Sequence, residues 1–127
     1  MNTRDDVKNF MIACNQPIID SPWMDGWNDN QAELYMKLIT EEYGELLSGW
    51  LKGDLVEIAD ACADLIWVIQ GLNHTLGIPQ QKVWDEVARS NMSKISENGK
   101  VLKRADGKVQ KPETYSPPNI ASIINNN

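Results

Sequence analysis

The sequence predicts an all-α protein: a four- to five-helix bundle with a long central antiparallel helix pair, an irregular C-terminal tail and assembly as an oligomer. Three observations carry this expectation. Apolar residues recur at helical spacing from Val7 to Ala88, Gly53 and Gly77 stand where such helices would stop, and the period vanishes beyond Ile95. At 127 residues the length fits one domain, large enough to hide roughly two thirds of its unfolded surface. A single helical domain over 1–127 is expected, with its core over about 3–95 and an extended tail over 96–127.

The elements follow in order. Thr3 is read as the N-cap of a first short helix, with Asp5 and Asp6 in its first turn and Val7, Phe10, Met11 and Cys14 on one side. "NQPIIDSPWMDGWNDN" is dense in Pro, Gly, Asn and Asp and reads as a loop. Trp23 and Trp27 are expected to close over a core edge. Asp29 or Asn30 caps a second helix running to about Leu51. "KGD" breaks it: Gly53 stops one helix and Asp54 caps the next, from about Leu55 to Leu76, which ends at Gly77. Pro79 suits the first turn of a fourth helix with Val83, Trp84, Val87 and Ala88 inward. "VLKRADGKVQ" suggests a small hairpin or tight loop around its D-G pair. "KPETYSPPNI" reads as extended, the terminal asparagines as frayed, and no internal repeat is evident.

Composition narrows the function. The content is 42% hydrophobic and 24% charged, as in ordinary globular proteins. No run of about 18 apolar residues suggests a membrane span, and the N-terminus lacks the apolar centre of a secretory signal. Cys14 and Cys62 fit no metal-ligand spacing and are expected to be reduced core residues of a cytoplasmic protein. His74, near a helix end, is expected to meet terminal carbonyls. The net charge of −6 argues against coating nucleic acid. Yet Lys94, Lys100, Lys103, Arg104, Lys108 and Lys111 are half of the 12 basic residues, whereas the middle of the chain is acidic. That division suits a polyanion held by a metal on one side and by lysines on the other.

The acidic residues share faces with apolar ones. At 100° per residue, Leu34, Tyr35, Leu38, Ile39, Leu46 and Trp50 form one stripe, with Glu42 in its middle, Glu45 near one side and Glu41 at its edge. On the third helix Glu57, Asp60 and Asp64 form a strip at i, i+3 and i+7. That helix is apolar on nearly all its other sides, which is why an oligomer is expected. Unpaired carboxylates on apolar faces would cost several kcal/mol, so a hard cation of the magnesium type is the expected partner. Zinc is disfavoured, because neither cysteine nor histidine belongs to the cluster.

"EEYGE" (Glu41, Glu42, Glu45) followed by "EIAD" (Glu57 to Asp60), with "EVARSNMSKI", "GKVLKRADGKVQK" and "YSPP" downstream, resembles the MazG-like all-α nucleoside triphosphate pyrophosphohydrolases. The likeness extends to the branch labelled phosphoribosyl-ATP pyrophosphohydrolase-like and spans about Lys37 to Pro118. It implies a helical bundle forming dimers or tetramers, with Mg²⁺ (Mn²⁺ as a substitute) on Glu42, Glu45, Glu57 and Asp60, and with Glu41 as an outer ligand or the base orienting water. Asp64 precedes "LIWV" as the last aspartate does in many relatives, so both Asp60 and Asp64 are candidates. The implied reaction cleaves a nucleoside triphosphate between its α- and β-phosphates, as in nucleotide-pool cleaning. Phosphoribosyl-ATP hydrolysis in histidine synthesis is the alternative; its dedicated enzymes carry a histidine where this chain has Asp64. A non-catalytic oligomer binding nucleotide or a partner helix is the other.

Beside the acidic groups, Lys94 is expected to contact phosphate and Asn91 sugar or phosphate, since both project from one side of the fourth helix's end. Lys103 and Arg104 are tail candidates for the triphosphate, with a solvated loop as the competing reading. Trp23, Trp27, Trp84 and Tyr115 are each candidates to stack on a base.

Overall fold

A computed structural model describes residues 1–126. All regular structure among them is helical: α1 (Thr3–Ala13), α2 (Asn30–Lys52), α3 (Leu55–Leu76), α4 (Gln80–Met92) and α5 (Ile120–Asn125), plus a 3-10 turn at Gly26–Asn28. The expected all-α class is therefore observed. The chain falls into two compact units, 1–78 and from Pro79 onward. No helix among the described residues is long and apolar enough to cross a membrane.

In the first unit, α2 and α3 form a helical hairpin and α1 packs on α3. Local signals set the boundaries. Asp29 accepts from the N–H of Gln31, and Asp54 accepts from those of Val56 and Glu57, each satisfying free donors of a first turn. Gly53 closes α2 in the left-handed conformation, and Gly77 closes α3 at φ 65°, where the Ser21 carbonyl presses so closely that no side chain fits. The cap of α1 is Asn2, whose side chain accepts from Asp5 N–H, not the expected Thr3; the Thr3 hydroxyl instead accepts from Gln70 Nε2 at 3.0 Å.

Two close approaches fix the slide of α2 along α3. The Tyr35 ring lies against Gly71, where a Cβ would overlap it, and Gly49 lies 3.1–3.2 Å (from its ideal Cβ position) from Ile58 N and Glu57. Antiparallel helices pinned at 35/71 and at 49/57 bring Glu42 level with Asp64. The core gathers Val7, Met11, Tyr35 and Val68, flanked by Ile18, Leu38, Ile39 and Leu72. Tyr35 Oη donates to Gln16 Oε1 at 2.6 Å, and Ile19 N and Trp23 N donate to the carbonyls of His74 and Leu76. The loop is thus stitched to the end of α3.

Several expectations need correction. Cys14 and Cys62 are free thiols on exposed residues, not core ones, because helical spacing assigns a side without saying whether it is covered. Trp27 is 73% exposed instead of closing over a core edge. His74 is buried, and its Nε2 pairs with the Arg4 carbonyl of α1 at 2.9 Å, not with carbonyls of its own helix end. Leu34 and Trp50 lie open on α2, and so do Leu55, Val56, Ile66 and Ile69 on α3.

The second unit is held by polar contacts. On α4, Trp84 and Val87 are exposed, contrary to their expected inward placement, and the buried residue is Ser90. Glu86 takes two hydrogen bonds from Arg89, at 2.7 and 2.9 Å, and a third at 2.7 Å from Asn119 N–H, while Arg89 also donates to the Pro117 carbonyl. This clamp ties the start of α5 to α4 and holds the Glu86 carboxyl down at about 2, chiefly through Arg89 and next through the Asn119 N–H. The expected hairpin is present as one bridge, Lys103 to Val109. The sequence was read as free of repeats, yet two turns are built alike. Asn98 and Asp106 each accept from the N–H two residues on, and Gly99 and Gly107 each donate three residues back.

Candidate metal centre

The register of α2 against α3 decides which acidic residues meet. Glu42 and Glu45, one turn apart on α2, and Asp64 on α3 each offer a carboxylate oxygen, and the three oxygens lie within 4.8 Å of one another. Oxygens on an octahedral Mg²⁺ stand about 3 Å apart when adjacent and about 4.2 Å when opposite, so the three would draw closer together to share that ion.

Glu42 is the most perturbed of the three. Its Oε2 is shielded from solvent and has no hydrogen-bond partner. Its carboxyl is pushed up to about 7, first by loss of solvent, next by the hydrogen bond with Glu45, then by the negative charges of Asp64, Glu45 and Asp60. Asp64 is raised as well, by burial and then by Asp60 and Glu45. No ion pair neutralises Glu42, Glu45 or Asp64 among the described residues, whereas three of the four basic residues of this unit pair elsewhere, as Arg4–Asp5, Lys37–Glu33 and Lys52–Glu57. An all-oxygen set with an orphaned buried oxygen and crowded negative charge suits a hard divalent cation.

The other sequence candidates lie differently. Asp60 raises both Glu42 and Asp64 by its charge but does not join the converging oxygens. Glu57 sits beside Gly49 and pairs with Lys52 at 3.5 Å. Glu41 is exposed and helps line a shallow depression of about 380 Å³ with Glu33, Met36, Lys37 and Thr40.

The basic candidates belong to the second unit. Lys94 Nζ donates to Asn91 Oδ1 at 2.9 Å, so those two share one side of α4's end as their spacing predicts. Lys103 lies in the bridge to Val109, and Arg104 pairs with Asp106 at 3.1 Å. Arg104 also lines a depression of about 440 Å³ with Val109, Gln110 and Lys111. Sequence reasoning placed Lys111 among the clustered basic residues but did not pair it with Tyr115, over whose ring its ammonium lies. No periodic signal in the tail could have paired them.

Known proteins bear on this arrangement. Residues 8–91 match the model of the phosphoribosyl-ATP pyrophosphohydrolase family, a stretch that contains α2, α3 and the acidic candidates Glu41, Glu42, Glu45, Glu57, Asp60 and Asp64. Over 51 residues the chain is also 39% identical to uncharacterized protein L479 of Acanthamoeba polyphaga mimivirus, covering 40% of this chain and 20% of that protein. The chain thus matches only one fifth of that relative's length. A family match over about two thirds of the sequence, on an all-helical frame with converging carboxylates, leads to one assignment: the chain belongs to the phosphoribosyl-ATP pyrophosphohydrolase family, within the MazG-like all-α pyrophosphohydrolases.

Proposed function

We propose that this chain is a Mg²⁺-dependent nucleoside triphosphate pyrophosphohydrolase, releasing a nucleoside monophosphate and pyrophosphate and clearing nucleotide pools in the cytoplasm. The observation that carries this reading is Glu42, a carboxylate with a sequestered, unpartnered oxygen facing two more carboxylates. Family membership supports the reaction class.

In this reading Glu42, Glu45 and Asp64 hold the ion, with Asp60 and Glu57 completing the ligand set or serving a second ion. When bound, Mg²⁺ neutralises phosphate charge and polarises the α-phosphoryl group. Loading requires Glu42 to give up its proton, which couples binding to pH. Glu41 orients the water and, as base, takes its proton as the oxygen bonds to the α-phosphorus; the bond from that phosphorus to the bridging oxygen breaks, and pyrophosphate leaves. Asn91, Lys94, Lys103 and Arg104 are the proposed contacts to sugar and phosphate. The first unit has only four Lys or Arg against 13 Asp or Glu, which favours drawing phosphate-binding cations from the basic stretch that starts at Lys94. Positioning and charge stabilisation supply most of the rate in phosphoryl transfer.

We further propose that the chain is one functional domain and self-associates as a homodimer or homotetramer through the apolar residues left open on α2 and α3. A clean monomer in sedimentation at micromolar concentration would oppose that assembly.

Phosphoribosyl-ATP is the second substrate reading, favoured by the description of the matched family. Pyrophosphate release from a panel of ribo- and deoxyribonucleoside triphosphates and phosphoribosyl-ATP, with and without Mg²⁺, decides between them. Release from none of these would leave a non-catalytic binding protein.

A further inference from the structure

Two lysine ammonium groups converge on one aromatic ring. Lys94 Nζ lies 5.9 Å and Lys111 Nζ 5.0 Å from the centroid of Tyr115. The ring is held in place from both sides of its own backbone. Thr114 Oγ1 donates to the Ser93 carbonyl at 2.8 Å, and Ser116 N donates to Ser93 Oγ at 2.8 Å. Ser93 immediately precedes Lys94, so both residues that flank the ring are tied to the root of one of its cations. Lys94 and Tyr115 are half-buried, and Lys94 Nζ is further fixed by Asn91 Oδ1. Lys111 also lines the depression that contains Arg104 and Gln110.

A ring that gathers two ammonium groups does more than fill space. Each cation is drawn to the negative face of the ring, and water screens their mutual repulsion at this partly open position. The result is a pair of positive charges gathered beside one ring before any anion arrives. Gathering of that kind lowers the entropy cost of binding a polyanion. It also gives Tyr115 a role distinct from stacking on a base, because lysines already occupy its surroundings.

Resting on the reading of this chain as a triphosphate pyrophosphohydrolase, we propose that Tyr115 is a positioning residue that holds Lys94 and Lys111 as a pair for the phosphate chain of the substrate, Lys111 itself being a phosphate contact. The ligand chemistry is that of a linear polyphosphate, independent of the base.

The test uses the full chain with ATP, dCTP and inorganic pyrophosphate. Tyr115→Leu is expected to raise KM for both triphosphates about tenfold and to weaken inhibition by pyrophosphate by a similar factor, with kcat changed by less than about twofold. Tyr115→Phe, which keeps the ring, is expected to behave as the wild type. Lys111→Met is expected to reproduce the KM effect, and the double variant to add little, as for groups acting as one unit. Unchanged KM and pyrophosphate inhibition in Tyr115→Leu and Lys111→Met would overturn the proposal. So would a KM effect confined to one base, which marks stacking, or equal impairment by Phe and Leu, which marks the hydroxyl. Should Tyr115→Leu fail to fold, Lys111→Met and Tyr115→Phe decide alone. If the wild type hydrolyses no triphosphate, the parent reading fails instead. Calorimetric titration with pyrophosphate then decides the lysine pair: weaker binding by Lys111→Met supports it, and equal binding refutes it.

Discussion

Replacing Glu42 by Gln is expected to stabilise the metal-free protein while destroying its activity. In the folded chain this carboxyl titrates near about 7 against an ordinary value of 4.5. The folded state therefore binds the proton more tightly, and between pH 4.5 and about 7 metal-free stability declines as pH rises. The full span corresponds to about 3 kcal/mol at ~1.4 kcal/mol per pH unit. Screening at a cluster open to solvent on one side reduces this to about 1–2 kcal/mol. Glutamine keeps the shape and removes the charge, so at pH 8 without divalent ions Glu42→Gln should melt about 4–8 °C above the wild type. At pH 4.5 the two should converge. Added Mg²⁺ should raise the melting temperature of the wild type and not that of the variant, by linkage. Thermal melts followed by circular dichroism over pH 4.5–8, with chelator or with Mg²⁺, read both effects. If Glu42→Gln melts at or below the wild-type temperature at pH 8 in chelator, the buried uncompensated charge is not there and the centre is misassigned.

Other perturbations probe the frame. Glu86→Gln should lower the melting temperature at neutral pH, and the gap should close as pH falls from 4.5 toward about 2, because a depressed carboxyl stabilises only while ionised; a gap that persists in acid would contradict the clamp. Gly71→Ala places a methyl in the Tyr35 ring and should cost about 1–3 kcal/mol in denaturant melts despite the better helix propensity of alanine; an unchanged midpoint would mean the two helices are not pinned there. Leu55→Glu, at a 76% exposed position, should convert the proposed oligomer to monomer in sedimentation velocity while helix content persists, and an unchanged sedimentation coefficient would exclude that face from the interface.

Features that depend on a few neighbouring residues were legible in the sequence. The ends of α2 and α3 follow from Asp29, Gly53, Asp54 and Gly77, each acting within one turn of itself. The shared acidic and apolar faces follow from periodicity alone. What periodicity omits is how far one helix slides along the other. The sequence offers Glu57, Asp60 and Asp64 alike, whereas Glu57 lies about two turns from Asp64 and pairs with Lys52. The choice of Asp64 for the converging set came from contacts at Gly49 and Gly71, which no spacing within one helix encodes. Periodicity also assigns faces without saying which are covered, hence the exposed Cys14, Cys62 and Trp84. The Tyr115 hub joins residues 21 positions apart across an aperiodic tail, beyond the reach of any local rule.

Fourteen positions separate Tyr35 from Gly49, and fourteen separate Glu57 from Gly71. The hairpin therefore behaves as a ladder with two fixed rungs and equal rails between them. A single residue lost from either rail would turn everything beyond it by about 100° and shorten that side by about 1.5 Å, separating Glu42 from Asp64 even though every acidic side chain is still present. In descendants of this gene, length changes between those rungs should survive only when both rails change together, whereas the turn at Gly53 and the tail are free to vary in length.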